Sequence, residues 1–490
     1  MTTRGRIATG VAMGALSLTG LAQSRPNIIF FMVDDMGIGD LGAYGQRYIP
    51  TPALDSLAQA GMTFTQAYAG CSVSAPSRGS LLTGRHTGHA FIRGNKDTAN
   101  ADGHTYDHPL AAGEVTIAEM LRDAGYDTAC IGKWGLGGPG TEGAPTRQGF
   151  DYFFGYLGQL NAHRHRPEFL HEGETMIPLD GMTYAQDLLM DHAIDFLRDR
   201  KRRERPFFLY FTPALPHADL DAEEEDREPF EGAFCERPFE GNWYRAEAQP
   251  KATYAGMIRR IDRDVRRMIE VLREEGLAEE TLFIFTSDNG PHEEGGHDPY
   301  FFDGNGPYRG LKRALYEGGV RVPFIVVWPG VIKPGSTSYH TLAFWDVMPT
   351  LRELSGAAPQ EQSDGISFAP TLFGRGEQAE HPYLYWEFHE EGGRQAVRMG
   401  QWKLIRQQVR DASQTYEELF NLSADPGELR DVSTDYPEVV RQLGELIDRS
   451  HQPSKDFPLL PQEDLCKMVF RRKSTAFSAG TLQNAPDARN

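Results

Sequence analysis

Cysteine is scarce in this chain, which has only four cysteines among its 490 residues. They lie far apart and form none of the closely spaced pairs that ligate zinc; they are Cys71, Cys130, Cys235 and Cys466. The spacing therefore argues against a cysteine-ligated metal centre. It also does not specify any disulfide, although an oxidising compartment would permit one.

The chain also lacks an excess of basic residues. Lysine and arginine number 50 against 69 aspartates and glutamates, so the formal net charge is −19. A surface with this charge repels polyanions, which argues against nucleic acid or an acidic membrane surface as the main partner. An anionic substrate would need a locally basic cleft.

Long hydrophobic runs are missing as well. The longest candidate, Ile7–Ala22, is interrupted by glycine and threonine and is short for a bilayer span, which needs about 20 strongly apolar residues. Because Arg4 and Arg6 precede it, residues 1–22 are predicted to be a cleaved signal peptide rather than a membrane anchor. No cysteine lies near the cut to carry a lipid. A periplasmic or secreted protein is expected.

Two apolar runs end in pairs of oxygen ligands. IIFFMV leads directly into Asp34 and Asp35, and the run Leu282–Phe285 is followed by Asp288 and Asn289. Both runs are typical of fully buried strands. Ligands bind at the carboxyl ends of neighbouring strands in open α/β sheets, so these four side chains are expected to converge on one hard cation.

Helical and strand patterns alternate along most of the chain. This order predicts an α/β fold in which a large mixed β-sheet is sandwiched by helices, over residues 26–375. After a polar linker, residues 382–450 alternate in the manner of antiparallel strands and end in an amphipathic helix, which predicts a smaller C-terminal α+β domain. Residues 451–490 are rich in proline and polar residues and are predicted to form an extended or partly disordered tail.

The stretch SVSAPSRGSLLTGR combines a nucleophile with the features of an anion site. If Pro76 occupies the first helical position, Ser74 lies at the mouth of a helix whose free N–H groups favour an anion. Arg78 would point to the same region, and a guanidinium suits a tetrahedral oxyanion. The alternative is that Ser74 only caps the helix, since serine is a preferred capping residue.

These residues resemble the sequence motif of the type I, formylglycine-dependent sulfatases, which belong to the alkaline phosphatase superfamily. The similar stretches run from about residue 27 to about residue 450 and are NIIFFMVDDMG, SAPSRGSLLTGR, GYDTACIGKWGLG, TPALPH, TSDNGPH, RGLKRALYEGGVRVP, AVRMGQWKLI and ELFNLSADPGE. The resemblance implies an alkaline-phosphatase-like fold and the hydrolysis of sulfate esters.

The resemblance also implies a role for each matching residue. Ser74 would be converted to formylglycine, and because Cys71 lies three residues too early, the maturation enzyme would have to accept serine. Ca²⁺, favoured over Mg²⁺ by an oxygen-only donor set, would be held by Asp34, Asp35, Ser74, Asp288 and Asn289. Arg78, Lys133 and Lys312 would neutralise sulfate, and His217 would be the general acid or a sulfate donor.

One position departs from the family pattern. Members commonly carry a histidine, assigned as a base, where this chain has Gly135. An imidazole could come instead from His163 or His165, which with Arg166 could also belong to a sugar-binding rim. His292 and His297 are further candidates.

The sequence therefore predicts an exported sulfatase that acts on an O-sulfate ester, more plausibly of a sulfated glycan than of an aryl alcohol. One alternative is a phosphatase or phosphonate monoester hydrolase of the same superfamily. The other is a homologue that binds sulfated glycans without catalysis, for which the glycine at position 135 is the one supporting feature.

Overall fold

The computed structural model describes residues 25–200, 204–359 and 362–463. The predicted signal peptide, Cys466 and the predicted tail beyond residue 463 lie outside these ranges. Cys71, Cys130 and Cys235 are free thiols in the described part of the chain. Within the same ranges, no helix combines the length and the apolar character needed to cross a bilayer.

The strands form one large sheet and three smaller ones. In chain order they are β1 (Asn27–Val33), β2 (Met62–Phe64), β3 (Ala67–Tyr68), β4 (Asp97–Ala99), β5 (Thr105–Asp107), β6 (Asp127–Lys133), β7 (Tyr152–Tyr156), β8 (Phe169–Glu172), β9 (Thr175–Pro178), β10 (Phe207–Thr212), β11 (Thr281–Ser287), β12 (Phe324–Val327), β13 (Ser336–Ser338), β14 (Leu342–Ala343), β15 (Leu384–Phe388), β16 (Arg394–Met399), β17 (Trp402–Gln407) and β18 (Tyr416–Asn421).

The large sheet has the strand order β13-β2-β12-β11-β1-β10-β6-β7-β8-β9. Its centre, from β11 through β1, β10 and β6 to β7, is parallel, whereas β12, β8 and β9 run antiparallel to their neighbours. The predicted neighbours β1 and β11 pair directly, with Val33 opposite Ser287. Because these strands are parallel, their carboxyl ends meet at one edge of the sheet.

Helices cover both faces of this sheet. The helices are α1 (Pro52–Ala60), α2 (Ser74–Thr83), α3 (Ile117–Asp123), α4 (Gln159–Ala162), α5 (Ala185–Arg200), α6 (Glu224–Arg227), α7 (Pro250–Glu274), α8 (Glu317–Val320), α9 (Val347–Ser355), α10 (Ala369–Phe373) and α11 (Pro437–Ser450). Successive β1 side chains alternate between two cores: Phe31 packs with α1, α5 and α7, and Phe30 packs with α2, α3 and α9. This alternation confirms the predicted sheet between two helical layers.

The second sheet, β15-β16-β17-β18, is antiparallel throughout. One face, carrying Val397 and Leu404, packs on α11, and the other, carrying Trp386, packs on Trp345 of the larger unit. The predicted fold class is therefore confirmed. The boundary near residues 375–382 stays a prediction.

Two details differ from the sequence expectation. Helix α2 begins at Ser74, so Pro76 is its third residue rather than its first. A proline is tolerated there because the first N–H groups of a helix have no intrahelical partner. In addition, part of the predicted tail packs against the rest of the chain: Phe457 is buried, and His451 is bonded to Glu387 and Glu463.

Candidate active site

The topology brings the predicted polar residues to the carboxyl edge of the parallel strands. Asp34 and Asp35 follow β1, Asp288 follows β11, Lys133 ends β6, and His217 lies five residues beyond the end of β10. These four strands are adjacent in the sheet. Residues from four distant parts of the sequence therefore share one buried site.

Three carboxylates form the floor of the site. Ligand oxygens of Asp34, Asp35 and Asp288 all lie within 4.8 Å of one another. The Asn289 side-chain nitrogen donates to Asp35 Oδ1 at 2.7 Å, while the Asn289 side-chain oxygen Oδ1 is buried and has no hydrogen-bond partner among the described residues. This donor set consists of oxygens alone and includes one unsatisfied carbonyl. It therefore fits a hard divalent cation such as Ca²⁺.

The backbone at Asp35 is adapted to this arrangement. Asp35 has φ 67°, in the left-handed region, and its N–H donates to Asp288 Oδ1 at 3.1 Å. Burial, and then the charge of Asp34, raise the pKa of Asp288 to about 7. Burial also acts on Asp34, but Lys133, His217 and Arg78 outweigh it and hold the pKa of Asp34 well below its usual range.

Ser74 is directed into the site rather than onto its own helix. Val73 occupies the cap position of α2, and the Ser74 hydroxyl donates to Asp34 Oδ1 at 2.9 Å. Lys133 Nζ donates to Ser74 Oγ at 3.1 Å and to Asp34 Oδ2 at 2.7 Å. The alternative that Ser74 serves only as a helix cap is therefore wrong.

Arg78 lies beneath this pair and is fully buried. Its Nε and Nη2 donate to Asp288 Oδ2 at 3.1 and 2.9 Å, and its Nη1 donates to the Lys133 carbonyl at 2.9 Å. Burial opposes the charge of Arg78, but Asp288 and Asp34 outweigh it and raise its pKa. Arg78 thus fixes a carboxylate of the floor and the backbone of a lysine at once.

A second basic group faces the floor from the opposite side. Lys312 Nζ lies 2.8 Å from Asp35 Oδ2, 2.9 Å from His217 Nε2 and 2.9 Å from Glu294 Oε2. Burial opposes the charge of Lys312, but Asp35 and Glu294 raise its pKa, so it donates and His217 Nε2 accepts. Burial, reinforced by Lys312, lowers the pKa of His217 well below its ordinary value.

Sequence reasoning missed Glu294 and Arg313. Glu294 Oε1 pairs with Arg313 Nη2 at 2.6 Å, and its other oxygen reaches Lys312 and lies 3.6 Å from His217 Nε2. The available signals were position alone, since Glu294 follows His292 by two residues and Arg313 follows Lys312 directly. Neither position reveals an ion pair that closes between two loops.

The predicted rim residues separate into two groups. His163 lies in the site, with its ring stacked on that of His217 at 4.5 Å and 8°. Burial, and then His217, lower the pKa of His163 to about 2. His292 bonds the loop of His217, because its Nε2 lies 3.0 Å from the Pro216 carbonyl.

The other three candidates do not line the site. His165 is buried, with its Nε2 2.9 Å from the His217 carbonyl. Arg166 pairs with Asp221 and Glu223. His297 is stacked on Tyr254 at 3.5 Å in the core and has no hydrogen-bond partner for either ring nitrogen. The expectation of a sugar-binding rim at these residues is corrected accordingly, because internal packing and ion pairs already occupy them.

Gln159 is the side chain that packs against Gly135, the position where family members commonly carry a histidine. Gly135 has φ 75°, and a Cβ there would lie 3.2 Å from Gln159 Cγ. The Gln159 amide donates to Asp107 Oδ1 at 2.7 Å and to Asn95 Oδ1 at 3.2 Å. Asn95 Oδ1 also accepts from the N–H of Ala75, next to Ser74, at 3.2 Å. Gln159 and Asn95 thus support the start of α2.

Comparison with known sequences covers nearly the whole described chain. Residues 26–357 match the Sulfatase family, and residues 308–452 match the N-sulphoglucosamine sulphohydrolase C-terminal family. Human arylsulfatase A is 33% identical over 87% of this chain and 88% of its own. Canine N-acetylgalactosamine-6-sulfatase is 30% identical over 92% and 91%.

Solved structures of other proteins also resemble this chain. The structure of Ps i-CgsB in complex with k-i-k-neocarrahexaose has a TM-score of 0.74 and 26% sequence identity, covering 92% of this chain and 98% of that one. Phosphonate monoester hydrolase of Agrobacterium radiobacter has a TM-score of 0.62 at 21% identity, covering 87% and 95%, and shares the fold alone.

Proposed function

The chain belongs to the sulfatase family of the alkaline phosphatase superfamily and is a sulfuric ester hydrolase, and from this we propose that it releases sulfate from a sulfated glycan with Ser74, matured to formylglycine, as nucleophile. The observation that carries the proposal is the position of the Ser74 hydroxyl, bonded to Asp34 and Lys133 above the three-carboxylate floor. A serine-accepting maturation enzyme and export by residues 1–22 are part of the proposal.

The cation would be held by Asp34, Asp35, Asp288, Asn289 and the matured residue 74. When bound, it supplies Lewis-acid polarisation of the nucleophile and of sulfate oxygens. We favour Ca²⁺ over Mg²⁺, because Ca²⁺ accepts several carboxylate and carbonyl oxygens in flexible geometry. The positive charge would also offset the three buried carboxylates.

Formylglycine, when present and hydrated, supplies a second hydroxyl that lets the sulfated enzyme be resolved. The chain's own residues prepare this position. Asp34 Oδ1 accepts a hydrogen bond from the Ser74 hydroxyl, and Lys133 Nζ donates to that hydroxyl oxygen and so favours negative charge on it. Ser74 is the first residue of α2, so its side chain also lies at the positive end of the helix dipole.

The groups proposed to act on the leaving group are Lys312 and His217. Lys312 holds a proton at Nζ and shares it with His217 Nε2 at 2.9 Å. We propose that this pair binds a sulfate oxygen and passes a proton to the departing alcohol oxygen. Stabilisation of the charge that develops there by preorganised donors is the largest expected contribution of the site.

The substrate class follows from the relatives. N-acetylgalactosamine-6-sulfatases are named among them, including one from Bacteroides thetaiotaomicron at 29% identity over 88% of this chain and 94% of its own. The similar i-CgsB structure contains an oligosaccharide. We therefore propose a sulfated glycan rather than a small aryl sulfate as the natural substrate.

A substrate panel tests the proposal. Protein produced with a serine-type maturation enzyme is incubated with neocarrahexaose, N-acetylgalactosamine 6-sulfate, 4-nitrophenyl sulfate and 4-nitrophenyl phosphate, and inorganic sulfate and phosphate are measured by ion chromatography. Sulfate release by the wild type, absent in Ser74→Ala, supports it. Phosphate release that exceeds sulfate release from the matched aryl esters would favour the phosphatase alternative instead.

His292 offers a separate prediction about how the two walls are held. Its Nε2 lies 3.0 Å from the Pro216 carbonyl, and its Nδ1 accepts from the Glu294 N–H at 3.0 Å. His292→Asn keeps an acceptor near the Nδ1 position, and His292→Gln keeps a donor near the Nε2 position. We expect the Asn variant to lower kcat about tenfold by releasing His217, and the Gln variant mainly to raise KM through Glu294.

His297→Phe is the matched control, because His297 is also buried and neither of its ring nitrogens has a hydrogen-bond partner. Its kcat and KM should stay within about twofold of wild type. Kinetics and thermal melting are measured for all three variants. If the Asn and Gln variants show the same decrease in kcat and the same increase in KM, His292 acts only through general stability.

A further inference from the structure

A hairpin between residues 239 and 247 stands beside the site. Its ends are tied by two backbone hydrogen bonds between Phe239 and Glu247, of 2.8 and 2.9 Å. At the tip, the Asn242 side chain accepts from the Tyr244 N–H at 2.9 Å, and the Asn242 N–H donates to the Tyr244 carbonyl at 3.0 Å. Trp243 lies between them and is 66% exposed.

Tyr244 attaches this tip to the active site. Its ring centroid lies 5.8 Å from that of His163 and 6.3 Å from that of His217. Burial, and then the neighbouring Glu294 carboxylate, raise the pKa of Tyr244. Trp243 directly precedes Tyr244, so its backbone lies about 3.8 Å along the chain from a residue that contacts the site, and its indole is exposed to solvent.

Asp219 holds the hairpin in register with the catalytic loop. Its Oδ1 accepts from the Arg245 N–H at 2.9 Å, and its N–H donates to the His163 carbonyl at 2.9 Å. The Asp219 carboxylate also pairs with the side chains of Arg164 and Arg245, which remain 36% and 56% exposed. Unlike Arg166, which has two carboxylate partners, these two partly exposed guanidinium groups share the single carboxylate of Asp219, beside the hairpin that carries Trp243.

We propose that Trp243 is a stacking platform for a sugar ring of a sulfated oligosaccharide, and that Arg164 and Arg245 meet further anionic groups of the same chain. The C–H face of a pyranose packs on an indole, and an aromatic side chain loses little conformational entropy on binding. This inference rests on the proposed function and extends it, because it assigns recognition beyond the sulfate. A single exposed tryptophan is unremarkable by itself; the attachment of its neighbour to His163 and His217 and the two arginines beside the hairpin distinguish this one.

Trp243→Ala tests the platform by comparing a long and a short substrate. The readout is kcat/KM for neocarrahexaose, and for a hexasaccharide containing N-acetylgalactosamine 6-sulfate, each divided by kcat/KM for 4-nitrophenyl sulfate. We expect this ratio to fall about tenfold for the oligosaccharide that is turned over, with Trp243→Phe recovering most of it. Tyr339→Ala is the control, because Tyr339 is 74% exposed but lines a separate cavity with Arg321 and Glu380. A ratio that moves less than twofold, or as much in the control, overturns the proposal.

Calorimetry on the unmatured protein separates this inference from the proposed function. With Ser74 unmodified, binding of the two hexasaccharides is measured in wild type and Trp243→Ala. A Kd that rises about tenfold in the variant supports the platform even if matured protein releases no sulfate. Absence of binding by the wild type to either hexasaccharide, or equal affinity of wild type and variant, overturns it.

Discussion

Replacing Arg78 with alanine lowers kcat/KM for sulfate release about a thousandfold. Removal of one partner of a buried charge pair costs about 3–5 kcal/mol, because the remaining charge is left uncompensated. Arg78 is fully buried and makes three hydrogen bonds, two to Asp288 and one to the Lys133 carbonyl. Its loss therefore releases both the cation site and the lysine that activates residue 74.

Arg78→Lys is the informative companion. A lysine keeps the positive charge but lacks the planar fork that reaches Asp288 and Lys133 together, so we still expect a loss of about a hundredfold. Arg85→Ala is the matched control from the same motif, since Arg85 is partly exposed and contacts Glu114 and Gln362. Its activity should stay within about threefold. Circular dichroism and melting curves test whether each variant folds. Near-normal turnover by folded Arg78→Ala would contradict the role proposed for Arg78.

We expect removal of the proposed divalent cation to have the second large effect. After treatment with EGTA and desalting, activity should fall more than about a hundredfold, because three buried carboxylates lose their common counter-ion. Added Ca²⁺ should restore it, and Mg²⁺ should restore less because it demands a near-ideal octahedron. Elemental analysis of the untreated protein should give about one calcium per chain.

Asp288→Asn links this effect to the site. The substitution keeps the shape of the side chain but removes one negative charge, so calcium content and activity should fall together. Asp303→Asn is the control, because Asp303 is exposed and in the left-handed region that asparagine tolerates. Full calcium content in Asp288→Asn, or unchanged activity after EGTA, would contradict the proposed cation site.

The central part of the site could be predicted from the sequence, because the order of the strands determines which residues meet at the edge of the sheet. Buried runs ending in Asp34 and Asp288 predict neighbouring parallel strands, and pairing of β1 with β11 confirms that expectation. Helix α2 was foreseen as well, but not its first residue, because a proline fits equally at several positions of a first turn.

The periphery was not predictable, since it depends on which distant charges meet. Arg166 is held by Asp221 and Glu223, and Glu294 joins Lys312 to Arg313 across two loops. Proximity of a histidine or arginine to a motif does not determine the direction of its side chain. The packing of Gln159 against Gly135 likewise depends on a contact that only the folded chain defines.

The mass of the peptide containing Ser74, taken from protein that demonstrably releases sulfate, tests the central claim most directly. Conversion of serine to formylglycine removes two hydrogens, so we predict a mass about 2 Da below that of the encoded peptide. An unmodified serine in active protein would contradict the claim, because Ser74 would then act as a simple hydroxyl nucleophile.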